Sequence, residues 1–300
     1  MKRQPLSLSG VFPPLPTPFD RSGRVAHDEL ATNIARWNDQ ALAGYVILGS
    51  NGEAAYLAGE EKTALFRAAR AAIPEEKLFI AGTGCESTGE TIALTRSAAD
   101  AGADAALVIT PSFYASRMTP QALVAHYESI AGASPIPIIV YNVPKFTGID
   151  LDAATIARLG AGRNIIGVKD SSGNIGKLGD VVRRADPDFQ VLAGTASFFF
   201  AALGLGARGG IVALANVAPA EVLEIERLFK QADWAGAAAL QRRLLPVDAA
   251  ITARFGIPGL KAALDLLGYY GGPCRPPLQD LADADRALVR TILVEGEILK

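Results

Sequence analysis

The chain has 300 residues, 50% hydrophobic and 20% charged, with a formal net charge of −2. That is apolar mass for one large domain or two small ones, and it offers no basic surface for nucleic acid or anionic membrane. Two cysteines, Cys85 and Cys274, make no disulfide framework, the N-terminal stretch MKRQPLSLSG lacks a signal-peptide apolar core, and no apolar run is long enough to span a bilayer, so a cytoplasmic protein is expected.

Short apolar runs recur along the chain. They are GVFPPLPTPF from Gly10, YVILGS from Tyr45, FIAGTG from Phe79, AALVITP from Ala105, PIIVYNVP from Pro137, IIGVKDS from Ile165, VLAGTA from Val191 and GGIVALAN from Gly209. Each is near strand length, and most end in Gly, Ser, Thr, Pro or Asn. Between them apolar residues return at helical spacing, as in Leu65, Phe66, Ala69, Ala72 and Ile73, in Leu123, Val124, Tyr127 and Ile130, and in Ile175, Leu178, Val181 and Val182. Strands alternating with helices predict parallel pairing, and runs without alternation predict burial on both faces. A closed (β/α)8 TIM barrel meets both demands. An open doubly wound sheet is the alternative, but LPTPFDRSG is no Gly-rich phosphate loop. The prolines of the first run remove ladder donors and make it the weakest strand.

After Asn216 the chain turns helical, through PAEVLEIERLFKQAD, WAGAAALQRRLLPVDAAITARF, GIPGLKAALDLLGYY and DADRALVRTILVEGEILK. This exceeds one barrel helix. The expected organisation is a catalytic barrel over residues 1–233 and an appended C-terminal helical region over 234–300.

Barrel active sites lie at the C-terminal ends of the strands. Lys169 ends the sixth run, where a charge is expensive. One reading is a snorkelling lysine, or one ion-paired with the adjacent Asp170. The other is a desolvated neutral amine that attacks a ketone to form a Schiff base. Ser50, Asn51 and Gly52 follow the second strand, either as a simple Asn-Gly turn or as a cradle of N–H groups and a hydroxyl for a carboxylate. Tyr141 ends the fifth strand, next to the sixth; it is either a packed rim tyrosine or a proton shuttle beside Lys169. Tyr114 follows the fourth strand. His27 and His126 lie on separate helical stretches, and no His or Cys spacing resembles a zinc site. Cys274 reads as a packing residue. No metal and no cofactor are expected.

Taken together, GSNGE, YNVP…TG and IIGVKD, in this order and spacing, resemble the dihydrodipicolinate synthase/N-acetylneuraminate lyase family, from VFPPLPTPFD to PPLQDL. The resemblance implies a lysine-dependent, class I pyruvate aldolase or lyase on a (β/α)8 barrel. It implies Lys169 as the Schiff-base lysine and Tyr141 as the proton shuttle. It implies Ser50 as a relay that helps bind the pyruvyl carboxylate with Asn51. By a nearer resemblance, to the 4-hydroxy-2-oxoglutarate aldolases of the family, Ser171 and Gly194 would also contact substrate.

Within the family, GSNGE, FQVLAGTA, ALANV, RFGIPGLK and GYYGGPCRPPLQ are more similar to 4-hydroxy-2-oxoglutarate aldolases, which yield pyruvate and glyoxylate. Dihydrodipicolinate synthases usually carry GTTGE, and an arginine where this chain has Phe146. The leading expectation is therefore 4-hydroxy-2-oxoglutarate cleavage. The alternative is 4-hydroxy-tetrahydrodipicolinate synthase, and a non-catalytic oxo-acid-binding member comes third. Phe113 stands where the family commonly places a tyrosine donated across a dimer interface, which leaves Tyr114 as the candidate. Lys145 is either a solvated cation or the partner of a second substrate carboxylate. The resemblance implies a homotetramer, a dimer of dimers.

Overall fold

The computed structural model describes residues 6–300. The eight strands are β1 (Gly10–Phe12), β2 (Gly44–Ile47), β3 (Leu78–Gly82), β4 (Ala105–Ile109), β5 (Ile138–Asn142), β6 (Ile165–Asp170), β7 (Gln190–Ala193) and β8 (Gly209–Ile211). Between and after them run α1 (His27–Asn38), α2 (Gly59–Ala72), α3 (Thr88–Asp100), α4 (Pro120–Ala133), the short α5 (Pro144–Thr147), α6 (Ala153–Gly160), α7 (Ile175–Arg184), α8 (Phe199–Gly204) and α9 (Pro219–Lys230). Three further helices follow: α10 (Trp234–Ala249), α11 (Gly256–Leu266) and α12 (Asp283–Glu295).

Every strand pair is parallel, in the order β1-β8-β7-β6-β5-β4-β3-β2. The ring closes between β1 and β2 by a single bridge, Pro14 to Val46, with Val46 N–H donating to Pro13 O at 3.0 Å. The prolines thus limit β1 to three residues, but Pro13 still serves the ladder as an acceptor, which needs no N–H. This is the (β/α)8 barrel with C-terminal helices that the alternation predicts.

Two apolar shells follow from strand alternation. Phe12, Val46, Ile80, Leu107, Ile139 and Leu192 fill the barrel interior. Phe66, Phe79, Ile130, Ile156 and Phe199 lie in the larger shell between strands and helices. Side-chain caps start several helices: Ser87 on α3, Thr119 on α4, Asp152 on α6 and Asn174 on α7 each accept a backbone N–H, worth about 1 kcal/mol apiece.

β5 and β6 do not pair evenly. Ile138 pairs with Ile165 and Ile139 with Gly167, so Ile166 is an extra residue, a bulge. Gly167 is where β7 passes closest; a Cβ there would lie 2.3 Å from Gln190 O.

The C-terminal segment is fastened to the barrel. The Asn33 amide donates to Tyr270 O at 2.8 Å and accepts from Tyr270 N–H at 2.9 Å, the Tyr270 hydroxyl donates to Phe19 O at 2.8 Å, and Tyr269 stacks on Trp37 with centroids 5.0 Å apart. On α10, the buried Asp248 carboxylate accepts from the Thr195 hydroxyl at 3.1 Å, tying that helix to the loop after β7. Pro246 lies inside α10, and the helix runs on into a π-turn over Ala250–Arg254.

Burial pushes the Asp248 carboxyl up to about 6. A carboxyl whose folded pKa exceeds its unfolded value favours the fold while protonated, and that contribution is lost as pH rises through the folded pKa. Asp248 should therefore add a downward slope of stability between about pH 4 and pH 6, worth roughly 3 kcal/mol for a two-unit shift. Asp248→Asn should flatten this slope and unfold at higher urea at pH 7.5; an unchanged slope in urea melts at several pH values counts against the assignment.

Candidate active site

Tyr141 and Lys169 are register partners at the C-terminal ends of β5 and β6, and both side chains turn into the barrel. Lys169 is only 3% exposed, and its Nζ lies 4.1 Å from the centre of the Tyr141 ring. Among the described residues Lys169 has no ion pair and no side-chain hydrogen bond.

Asp170 does not supply one. Alternation along β6 sends it to the opposite face. There one carboxylate oxygen accepts from the Asn142 amide at 3.2 Å and from Ser172 N–H at 2.7 Å, and the other lies 3.2 Å from Lys177 Nζ. Lys177 also pairs with Asp150, which accepts from Asn142 at 2.8 Å. A lysine ion-paired to its sequence neighbour is thus excluded by the geometry. A charged pair is complete on the outer face, and the inner amine has only an aromatic face beside it.

Ser50 opens a 3-10 turn, Ser50–Gly52, directly after β2. Its Oγ is 3.3 Å from the Tyr141 hydroxyl, so Ser50, Tyr141 and Lys169 form one chain of contacts. Asn51 is half-buried beside them, its amide 3.5 Å from Pro14 O, a weak contact. Gly82 lets this turn form: a Cβ there would lie 2.0 Å from Leu48 O. Ser50 and Tyr141 line a cavity of about 1100 Å³, whose walls also carry Thr110, Phe146, Ile257 and Leu278.

Ser171 and Gly194 meet at the ends of β6 and β7. The Ser171 hydroxyl donates to Gly194 O at 3.2 Å, and Gly194 N–H donates to Asp170 O at 2.8 Å. Only glycine fits here, since a Cβ would lie 2.0 Å from Ser171 Oγ and 2.6 Å from Asp170 O.

Tyr114 is not gathered into this group. It is 69% exposed, beside Phe113 at 78%, on a loop held by Glu86, which accepts from Ser112 N–H and Phe113 N–H at 2.9 and 2.8 Å. Lys145 donates to Thr252 O, in the π-turn, at 3.0 Å, with its Nζ 5.6 Å from the centre of the Phe146 ring. Phe146, 57% exposed, is the residue of this pair on the cavity wall. His126 is held by Thr88 at 2.9 Å, and burial pushes its pKa down. Cys274 is buried and its thiol is pushed up to about 12, which fits a packing residue.

Sequence reasoning passed over two residues. Glu53 closes the Ser50 turn and is fully buried against Lys261 of α11, their charged atoms 2.6 Å apart. The signal for Lys261 was present, since GLKAAL places a charge in an apolar helical stretch just as IIGVKD places Lys169 in an apolar strand. Its partner lies far along the chain, and spacing does not reveal it.

A buried lysine, unpaired among the described residues, at the mouth of a parallel barrel and beside a tyrosine that meets a serine, is an arrangement suited to class I aldolase or lyase chemistry. The comparisons give the family. The Dihydrodipicolinate synthetase family matches residues 7–295. A 4-hydroxy-tetrahydrodipicolinate synthase of Methanothrix thermoacetophila is 37% identical over 289 residues, 95% of this chain and 96% of its own. An uncharacterized DapA-like lyase of Halobacterium salinarum is 37% identical over 98% of this chain and 96% of its own. The crystal structure of the dihydrodipicolinate synthase of Acinetobacter baumannii complexed with pyruvate superimposes with a TM-score of 0.93 at 31% identity, covering 98% of this chain and 100% of that one. This chain belongs to the dihydrodipicolinate synthase family.

The two lysines of β6 and α7 should respond oppositely to removal. Lys177→Met strands the buried Asp170 carboxylate and should cost about 3 kcal/mol or more in urea unfolding. Lys169→Met removes a buried amine that pairs with nothing and should leave the unfolding midpoint equal or higher. Equal losses in both variants would show that Lys169 has an anionic partner.

Proposed function

We propose that this chain joins pyruvate to an aldehyde, or splits such an adduct, through an imine on Lys169. The observation that carries the reading is the buried Lys169 amine, without a carboxylate partner among the described residues, beside Tyr141 and Ser50. The amine adds to C2 of pyruvate and water leaves, forming the imine. Loss of a C3 proton gives an enamine. Its carbon bonds to the aldehyde carbon while the aldehyde oxygen takes up a proton. One water then hydrolyses the imine, frees a 4-hydroxy-2-oxo acid and restores the amine; where the aldehyde carries an amine, as aspartate semialdehyde does, that amine condenses with C2 and one water is lost as the ring closes. Cleavage of a 4-hydroxy-2-oxo acid runs the same steps backwards. Tyr141 and Ser50 carry the protons, and Asn51 with the turn's N–H groups holds the pyruvyl carboxylate. Ser171 and Gly194 border the bound substrate.

For the aldehyde, the names of the relatives favour aspartate semialdehyde, and so 4-hydroxy-tetrahydrodipicolinate synthesis, over the 4-hydroxy-2-oxoglutarate cleavage expected from the motifs. The second reading rests on Phe146. Phenylalanine offers the semialdehyde carboxylate no donor where an arginine would offer a fork; 4-hydroxy-2-oxoglutarate also ends in a carboxylate, and Lys145, bonded once to Thr252 O, has N–H donors left for it. In the same proposal residues 1–233 form the catalytic barrel and 234–300 a helical region that completes its mouth. The enzyme is cytoplasmic and works as a homotetramer of two close dimers, in which Tyr114 serves a neighbouring subunit's site.

Pyruvate with borohydride should add one reduced pyruvyl group per chain, on the peptide that holds Lys169; labelling that persists in Lys169→Ala rules the assignment out. Tyr141→Phe should still trap the imine while turnover falls roughly 10²–10⁴-fold. Side-by-side kinetics choose the aldehyde. A higher kcat/KM for pyruvate plus aspartate semialdehyde than for 4-hydroxy-2-oxoglutarate cleavage establishes the synthase, and the opposite order establishes the aldolase.

A further inference from the structure

The segment GYYGGPCRPPLQ has no part in the chemistry above, yet it reaches the catalytic mouth. Arg275 is its anchor. The guanidinium holds both oxygens of Glu61 at 2.7 Å, and it donates to Tyr56 O at 3.0 Å and to Gly23 O. The Arg275 backbone N–H donates to one oxygen of Glu53 at 2.8 Å. The other oxygen of Glu53 pairs with Lys261 at 2.6 Å, and Lys261 donates in turn to Pro273 O at 2.8 Å. Both cations lie over the Phe19 ring, at 4.5 Å for Lys261 and 4.3 Å for Arg275. Two of these contacts, from the Arg275 N–H and from Lys261, meet on the buried Glu53 carboxylate.

That carboxylate belongs to the turn that carries Ser50. Glu53 sits at φ 53°, ψ 33°, a left-handed conformation unusual for a side chain of this size, and its N–H closes the turn on Ser50 O at 3.3 Å. At the other flank Leu48 is also left-handed, at φ 61°. Such backbone persists only where the surroundings over-determine it. At Glu53 the surroundings are Lys261 and the Arg275 segment. Gly52 O, between them, accepts from the Thr17 hydroxyl at 2.6 Å.

We propose that Glu53, clamped by Lys261 and Arg275, is a positioning residue that sets the Ser50 hydroxyl against Tyr141 for proton transfer at C3 of bound pyruvate. The proposal rests on the imine reading above. The C-terminal region is then part of the catalytic apparatus without touching the substrate.

Two measurements with pyruvate alone test it: borohydride trapping of the imine, and exchange of the pyruvate methyl protons in D2O followed by NMR. In Glu53→Gln the imine should be trapped as fully as in the wild type, while exchange slows about 10²-fold, as expected when a catalytic group is misplaced by a fraction of its contact distance. In a Ser50→Ala background, Glu53→Gln should slow exchange no further, because the residue acts through Ser50. Should Glu53→Gln fail to fold, Arg275→Lys takes its place, retaining the charge and the backbone N–H but losing the fork to Glu61. The same split between trapping and exchange is expected, at roughly tenfold. Normal exchange in a folded variant, or a slowing that multiplies with that of Ser50→Ala, overturns the proposal. A wild-type chain that traps no imine overturns the reading of Lys169, and this inference with it.

Discussion

The site depends on a lysine amine buried with no carboxylate partner among the described residues. Removing Lys169 from water is costly, and an adjacent carboxylate would be the ordinary remedy. The fold withholds that remedy by giving Asp170 to Lys177 and Asn142 on the outer face of β6. The barrel stabilises the arrangement with large apolar shells on both sides of the strands, so the cost falls on a structure well able to bear it.

Glu53 and Lys261 show the opposite solution to the same problem. Both are as deeply buried as Lys169, but each is the other's partner, and backbone groups satisfy what remains. A paired buried charge is rigid, because moving either member exposes the other. Among the described residues the chain thus leaves one buried lysine free and ties another down. The free one lies where chemistry is expected, and the tied one lies where a strained turn has to be held.

Much of this was legible in the sequence for local reasons. Eight strand-length apolar runs separated by helical spacing lead to the barrel because parallel pairing and two-sided burial are properties of short segments. Lys169, Tyr141 and Ser50 were legible because each follows an apolar run at a strand end, where a barrel gathers residues from different strands. The orientation of Asp170, the destination of Lys145 and the clamp on Glu53 were not legible. Each depends on a partner from another part of the fold, such as Lys261 for Glu53 or Thr252 for Lys145. Tyr114 was drawn from resemblance, and within the single chain it stands in the open, apart from the other three. The aldehyde was read from Phe146 and related motifs, whereas the relatives' names point to the synthase; one wall residue does not define a pocket.

The extra residue at Ile166 has a consequence for how this site can be inherited. Ile165 faces outward, and four positions along an even strand would send Lys169 outward as well. The odd residue inverts the parity, so that lysine faces in and aspartate faces out. Were Ile166 paired in step instead of bulged, the same letters KD would turn the carboxylate into the barrel and the amine toward the helices. The inward placement of Lys169 therefore depends on a bulge three positions upstream as well as on the residue itself. A motif or graft that preserves KD but pairs Ile166 in step would not preserve that placement.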